Sequence, residues 1–345
     1  MEATKLYRNK RNFSRSWRTT VRSCIWPCVV ASFMVSPCTI ASAASAQEWP
    51  TQPIRIVAPF TAGGTADVIS RLLGEQLGKL WKQPVVIENK VGAGGAVAAS
   101  QVARAKADGL TMLMISGSMF TVNPNLYKNL PYKVDDFKDV SMVSIGPMVV
   151  AINKKMSINS LDELLSYSKT NSAKINFGSA GIGSQTHMTA EMLLNATGVN
   201  MMHIPYSGEN TALTDLMAGQ IQMVVANLSA AMPFIKSSDV KTLAVTGNQR
   251  SRALPDVPTV QELIGKDFDA QGWFAIVVPR DTPDAVVQKI ATGIETVLKD
   301  GKLQQRFGDL GVSAAPLGQA YMQDRVKKES VSWKKIIRQQ SISPK

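Results

Sequence analysis

The chain has 345 residues, with 38 Lys and Arg against 26 Asp and Glu and a formal charge of +12. Its three cysteines, Cys24, Cys28 and Cys38, precede residue 47, which excludes thiol chemistry, Cys-based metal sites and disulfides from the remainder. Half of the excess charge also precedes residue 47, in Lys5, Arg8, Lys10, Arg11, Arg15, Arg18 and Arg22 against Glu2. What is left is spread without a dense basic run, which is not a nucleic-acid footprint.

Residues 1–46 read as a secretory signal peptide: a basic n-region, a short apolar core over Ile25–Val35, and Ala44-Ser-Ala46 as the cleavage signal. The apolar run falls short of the roughly 20 residues that a spanning helix needs.

The stretch Ile54–Arg71 organises the rest of the chain. Ile54–Ala58 is an apolar run predicted as a buried strand, and Pro59–Thr65 carries Gly63 and Gly64 in a sharp turn. Asp67 then opens an apolar pattern at Ile69, Leu72, Leu73, Leu77 and Leu80, which has helical spacing. A strand, a glycine turn and a helix start aim several backbone N–H groups at one spot, with the positive end of the helix dipole behind them. Such a site accepts an anion without a charged side chain. The plain alternative is an ordinary βα turn.

Further along, Val85–Ile87 is a strand, Gly92–Gly95 a glycine turn, Ala96–Ala107 a helix stopped by Asp108-Gly109, and Leu110–Ser116 a strand. The β-α-β-α-β order predicts a parallel sheet with right-handed crossovers. A polar loop through Ser116, Ser118, Thr121 and Asn123 comes next. Val140–Asn153 is a long extended stretch interrupted by Gly146-Pro147, long enough to carry the chain from one lobe to another. Ser160 caps a helix, with Asp162 and Glu163 in its first turn. Lys174–Phe177 is a strand, and Gly178–His187 repeats the opening theme of strand, glycine turn and helix.

Strands at Met201–Pro205, Ile221–Ala226 and Lys241–Thr246 alternate with helices at Ala212–Ala218 and Met232–Lys236. Trp273–Val278 is apolar and extended and suits a return to the first lobe; Pro283 opens a helix to about Leu298. An amphipathic helix through Tyr321, Met322, Val326, Trp333, Ile336 and Ile337 ends the chain.

Two such glycine units facing each other make an anion site in a cleft between lobes, with hydroxyl donors from Thr61, Thr65, Ser179 and Ser184. Enzymatic motifs are missing. Neither glycine loop reads G-x-G-x-x-G, since the third position is Val97 in one and Thr186 in the other, and there is no P-loop or Gly-x-Ser-x-Gly elbow. His187 and Glu191 lie at i, i+4, where a helix-surface hydrogen bond is favoured over a metal site lacking a third ligand. Asp67 reads as a first-turn acid steadying its own loop. Tyr206 either lines a pocket or ends a buried strand, and Trp273 reads as core or hinge packing.

These motifs, in this order, resemble the periplasmic solute-binding receptors of tripartite tricarboxylate transporters, the Bug or TctC-like family. The matching residues include Pro59-Phe-Thr-Ala-Gly-Gly-Thr-Ala-Asp67, Glu88-Asn-Lys-Val-Gly-Ala-Gly-Gly95, Asn176-Phe-Gly-Ser-Ala-Gly-Ile-Gly-Ser184, His203-Ile-Pro-Tyr206, Asp215-Leu-Met-Ala-Gly219 and Leu254-Pro-Asp-Val-Pro-Thr259. The resemblance implies an α/β, two-lobed venus-flytrap fold of type II, with two crossing strands as hinge. It places one lobe over 47–147 and 272–345 and the other over 148–271. It also implies a periplasmic monomer that takes a small organic-acid ligand, works with integral-membrane transporter subunits, and needs no cofactor, metal or catalytic residue.

Carried over, the carboxylate-binding positions are Phe60, Gly63, Gly64, Thr65 and Asp67 from the first lobe, and Ser179, Ala180, Gly183, Ser184 and His187 from the second. Ser116, Thr121, Tyr206 and Asn227 are candidates for the ligand's distal end. A sensory or partner-presenting receptor built on the same lobes is the alternative.

Overall fold

A computed structural model describes residues 49–171 and 174–344; residues 1–46, expected from the sequence to be a signal peptide, lie outside the described residues. The elements run β1 (Ile54–Ala58), α1 (Thr65–Trp81), β2 (Val85–Asn89), α2 (Ala96–Ala103), β3 (Thr111–Ser116), α3 (Ser118–Thr121), α4 (Asn123–Leu126) and β4 (Phe137–Asn153). Next come α5 (Leu161–Thr170), β5 (Asn176–Ser179), α6 (Gln185–Thr197), β6 (Met202–Pro205), α7 (Glu209–Ala218), β7 (Met223–Asn227), α8 (Leu228–Lys236) and β8 (Val240–Val245). The chain ends with α9 (Val260–Ile264), β9 (Gln271–Pro279), α10 (Asp284–Leu298), α11 (Gly301–Asp309), β10 (Ser313–Ala314) and α12 (Gln319–Gln339).

The strands join in the order β2-β1-β3-β9-β4-β7-β5-β6, with β8 and β10 also paired to β4. Three parallel strands, β2-β1-β3, end on antiparallel β9; three more, β6-β5-β7, end on antiparallel β4. The order is thus the same read from either edge. The join between the halves is β4 itself: Phe137–Pro147 pair with β9, and Met148–Asn153 pair with β7 and β8. Gly146 and Pro147 continue the strand rather than interrupting it, opposite Gly272 and Gln271. Thr246 locks this join, since its hydroxyl accepts from Met148 N at 2.9 Å and lies 2.6 Å from the Ala270 carbonyl.

The near-continuous apolar strands are explained by helices on both faces. Ile54, Ile56, Met112, Met114, Phe274 and Ile276 pack towards Leu73 and Leu77 of α1, Ile290 and Ile294 of α10, and Phe307 of α11. The alternate residues Val57, Leu113, Ile115, Trp273, Ala275 and Val277 face Ala98, Ala99 and Val102 of α2, Met119 and Phe120 of α3, and Met322 of α12. The second half repeats this, with α5, α6 and α9 on one face and α7 and α8 on the other. Among the described residues no helix is long and apolar enough to cross a membrane.

Three further local features differ from the sequence pattern. The helix begun at Ala96 ends at Ala103, because Asp108 turns back to accept from Leu110 N and holds the connection as a turn. The polar loop after Ser116 is two short helices, since Met119 and Phe120 between its hydroxyls are buried. Gly301–Asp309 forms a helix that the sequence pattern did not reveal, capped by Asp300 and buried through Leu303 and Phe307 at i, i+4.

Candidate functional site

The two glycine turns are conformational copies. Gly63 and Gly183 both take φ = +77°, which glycine reaches without the Cβ penalty. Gly64 and Ser184 come next as extended N-caps of α1 and α6. Three residues into each helix a side chain reaches back: Asp67 accepts from Gly63 N at 2.9 Å, and His187 Nδ1 from Gly183 N at 3.2 Å. Gly64 N bonds the Thr61 carbonyl as Ser184 N bonds that of Gly181. Each turn is therefore fastened by its own helix, and both helices present their N-termini to the space between the halves.

The fastening side chains have different surroundings. Burial alone would raise the Asp67 carboxyl, but hydrogen bonds from Arg71, Gly63 N and Asn89, with the Arg71 charge, hold it below the usual carboxylate range. Arg71 contacts both Asp67 oxygens, at 2.9 and 2.8 Å. His187 instead lies 3.5 Å from Glu191 and stacks on His203 with ring centroids 3.8 Å apart. No metal-ligand arrangement is needed to explain the i, i+4 pair.

The halves meet through few polar contacts. Glu209, the first residue of α7, accepts from Thr65 N at 3.1 Å with one oxygen, and from Asn227 N and Nδ2, both at 2.7 Å, with the other. Thr65 Oγ1 lies 2.8 Å from Ser229 Oγ, Asn210 Nδ2 donates to the Ala62 carbonyl at 3.3 Å, and Tyr127 donates to the Ile182 carbonyl at 3.1 Å. Gln185, oriented to satisfy its neighbours, accepts from Gly117 N at 3.0 Å and Trp273 N at 3.3 Å.

Two adjoining spaces, sharing Phe60 and Ala180 as walls, lie between the loops. The outer chamber, about 310 Å³, is walled by Phe60, the turn Gly92–Gly95, Tyr127, Ala180–Ile182 and Pro205–Ser207. The inner cavity, about 10 Å³, is bounded by Phe60, Ser116, Ala180, Ser184, Gln185, Thr186, Glu209, Asn227 and Phe274. Phe60 and Ala180, at equivalent positions of the two turns, line both.

The expected site residues thus divide. Phe60, Ser116, Ala180, Ser184, Asn227 and Tyr206 line one or both spaces. Gly63, Gly64, Thr65 and Asp67 build the first turn, and Gly183, Ser184 and His187 the second, with Ser179 tied to His203 Nε2 at 2.7 Å. Thr121 is buried with its hydroxyl on the Gly117 carbonyl and lines neither. Tyr206 donates to Asp215 at 2.7 Å, and burial with that neighbouring carboxylate pushes its hydroxyl up to about 12. Trp273 is core: fully buried, with Nε1 donating to Glu329.

Sequence reading missed Glu209, Gln185, Thr186, Tyr127, Phe274 and the Gly92–Gly95 turn as walls. Glu209 leaves a signal, an acid directly after Gly208 at the start of a helix, where a first-turn carboxylate is favoured.

The histidine stack makes the second turn sensitive to acid. Burial, and then the adjacent His187 ring, push His203 down to about 3 from 6.5. Above about pH 6.5 neither folded nor unfolded chain protonates it. Below that the unfolded chain takes up a proton that the folded chain refuses, so stability falls as pH drops from 6.5 towards 3. The expected slope reaches about 1.4 kcal/mol per pH unit. Urea titrations between about pH 6.5 and 4.5, above most carboxylate titration, should show this slope in the wild type and its loss in His203→Gln. Equal slopes would contradict the assignment.

Residues 69–342 match the family model described as tripartite tricarboxylate transporter family receptor. The protein BugT of Bordetella pertussis is 31% identical over 312 residues, covering 90% of this chain and 96% of BugT. Among solved structures, Rpa4515 of R. palustris with adipate aligns with a TM-score of 0.84 at 29% identity, over 86% of this chain and 100% of that one. The periplasmic binding protein BugD gives 0.82 at 34%, over 86% and 100%. MatC of Rhodopseudomonas palustris with bound malate gives 0.78 at 28%, over 84% and 100%. The mirrored sheet is therefore the two-lobed fold of periplasmic binding proteins. With most of its length inside the family model, the chain belongs to the tripartite tricarboxylate transporter receptor (TctC) family of periplasmic solute-binding proteins.

Proposed function

We propose that the chain captures a small organic carboxylate between its two glycine turns and presents it to the integral-membrane subunits of a tripartite tricarboxylate-type transporter. It acts in the periplasm, exported by residues 1–46, and binds its ligand without transforming it. The observation that carries this reading is the duplicated turn: two helix N-termini, each with a fastened glycine turn, converge on one cleft. Relatives with adipate and malate support the ligand class.

Most turn amides are already engaged within the turns, those of Gly63, Gly64, Ala180, Gly181, Gly183 and Ser184 among them. Those bonds hold the geometry. The amides of Ala62 and Ile182, equivalent positions at the two tips, donate to no partner among the described residues and suit a carboxylate arriving between them. In this mechanism the ligand docks on the β1–α1 turn in an open form. Rotation about β4 and β9 then brings the second turn onto it, with lobes close to 47–147 plus 272–345 and 148–271.

Isothermal titration with mono- and dicarboxylates of three to six carbons tests the reading. Micromolar binding of at least one is expected. A chain that binds none while remaining folded would contradict it.

A further inference from the structure

The inner end of the cleft carries a charge that the carboxylate reading does not use. Glu209 is buried at 6% exposure, with no Lys, Arg or His within ion-pair distance among the described residues. It is held by three N–H donors and by its position in the first turn of α7. Of all residues lining the outer chamber and the inner cavity, it alone bears a full charge. Its oxygens also occupy Thr65 N and the Asn227 amide, donors that an incoming anion would need. Both the field and the donor supply at the inner end therefore oppose a second carboxylate. One lone-pair direction on Glu209 remains unused by these three bonds. The space beside it, about 10 Å³, suits one water-sized group.

We propose that Glu209 sets ligand choice, so that the receptor takes carboxylates whose far end is a small hydrogen-bond donor, an ammonium or primary amide, in preference to dicarboxylates. This rests on the reading that the cleft holds a carboxylate. The ligand's own carboxylate lies towards the turn tips and its donor end points inward, where Glu209 accepts from it.

Chain-matched pairs separate the two groups without changing length: succinate and 4-aminobutyrate, glutarate and 5-aminopentanoate, adipate and 6-aminohexanoate. For the pair that fits best, calorimetry on the wild type should show the amino acid binding at least about tenfold more tightly than the dicarboxylate. Glu209→Gln keeps the size and one acceptor oxygen and removes the charge; it should shrink that ratio at least about tenfold, chiefly by weakening the amino acid. A wild type that prefers the dicarboxylate, or a ratio untouched by Glu209→Gln, overturns the inference while leaving carboxylate capture standing. Absence of binding by every compound overturns both. If Glu209→Gln does not fold, the wild-type ratios alone decide.

Discussion

Gly208→Ala is expected to weaken carboxylate binding at least about tenfold, or about 1.4 kcal/mol, without lowering the stability of the free protein. Gly208 has φ = 176°, extended backbone that any residue adopts. A methyl group there would nevertheless collide with Thr61 Oγ1 and lie 3.0 Å from Thr61 Cβ, across the cleft. The obstruction exists only when the two turns have approached, so the substitution penalises the closed form and spares the open one. Small-angle scattering in saturating carboxylate should show a larger radius of gyration than for the wild type. Removing the opposing side chain, as Thr61→Gly, should restore affinity in the double variant, with the coupling that neighbouring residues show. Wild-type affinity for Gly208→Ala would mean that Thr61 and Gly208 do not meet in the bound state.

Trp273→Ala should be the most destabilising single truncation near the cleft, at about 3–5 kcal/mol. The side chain is fully buried in β9, and its Nε1 lies 3.1 and 2.9 Å from the two Glu329 oxygens of α12. The Arg325 guanidinium sits 5.8 Å from its ring centroid. Gly117 packs so closely that a Cβ there would overlap the indole. Truncation therefore leaves a cavity among β9, the β3–α3 turn and α12, and removes one donor from Glu329, which keeps Arg325 at 2.7 Å. The melting temperature should fall on the order of 10 °C, monitored by circular dichroism, with Trp273→Phe intermediate. A loss below about 1 kcal/mol would contradict this packing account.

What the sequence made legible was periodic or local. β1, α1 and the first glycine turn can be read from an apolar run, two glycines and helical spacing, and the second turn from the same pattern at Phe177–His187. The Asp67 fastening depends on a fixed offset within one helix and is legible as a first-turn acid, whereas His187 at the same offset reads from spacing as a partner of Glu191 and its bond to Gly183 N is not legible. Glu209, Gln185 and Tyr127 are different, because their roles depend on which face of the opposite half they meet. No spacing rule links Thr65 to a residue 144 positions later. The helices at Ser118–Leu126 were obscured by hydroxyl residues that usually favour turns, whereas burial of Met119 and Phe120 decides the outcome.

The carboxylate positions named from the family resemblance include amides that already have partners. Gly63, Gly183 and Ala180 each donate within their own turn. On the proposed reading their contribution is shape, and the tip amides of Ala62 and Ile182, which donate to no partner among the described residues, are the donors that the turns hold out to a ligand. Specificity then falls to the few side chains that enter the cleft, Glu209 foremost.

Amide chemical-shift mapping on the isotopically labelled protein, titrated with its tightest carboxylate, tests the central claim most directly. The largest perturbations are expected in both turns at once, Phe60–Thr65 and Ala180–Ser184, saturating together with one affinity. Perturbations confined to one turn, or centred away from both, would contradict it.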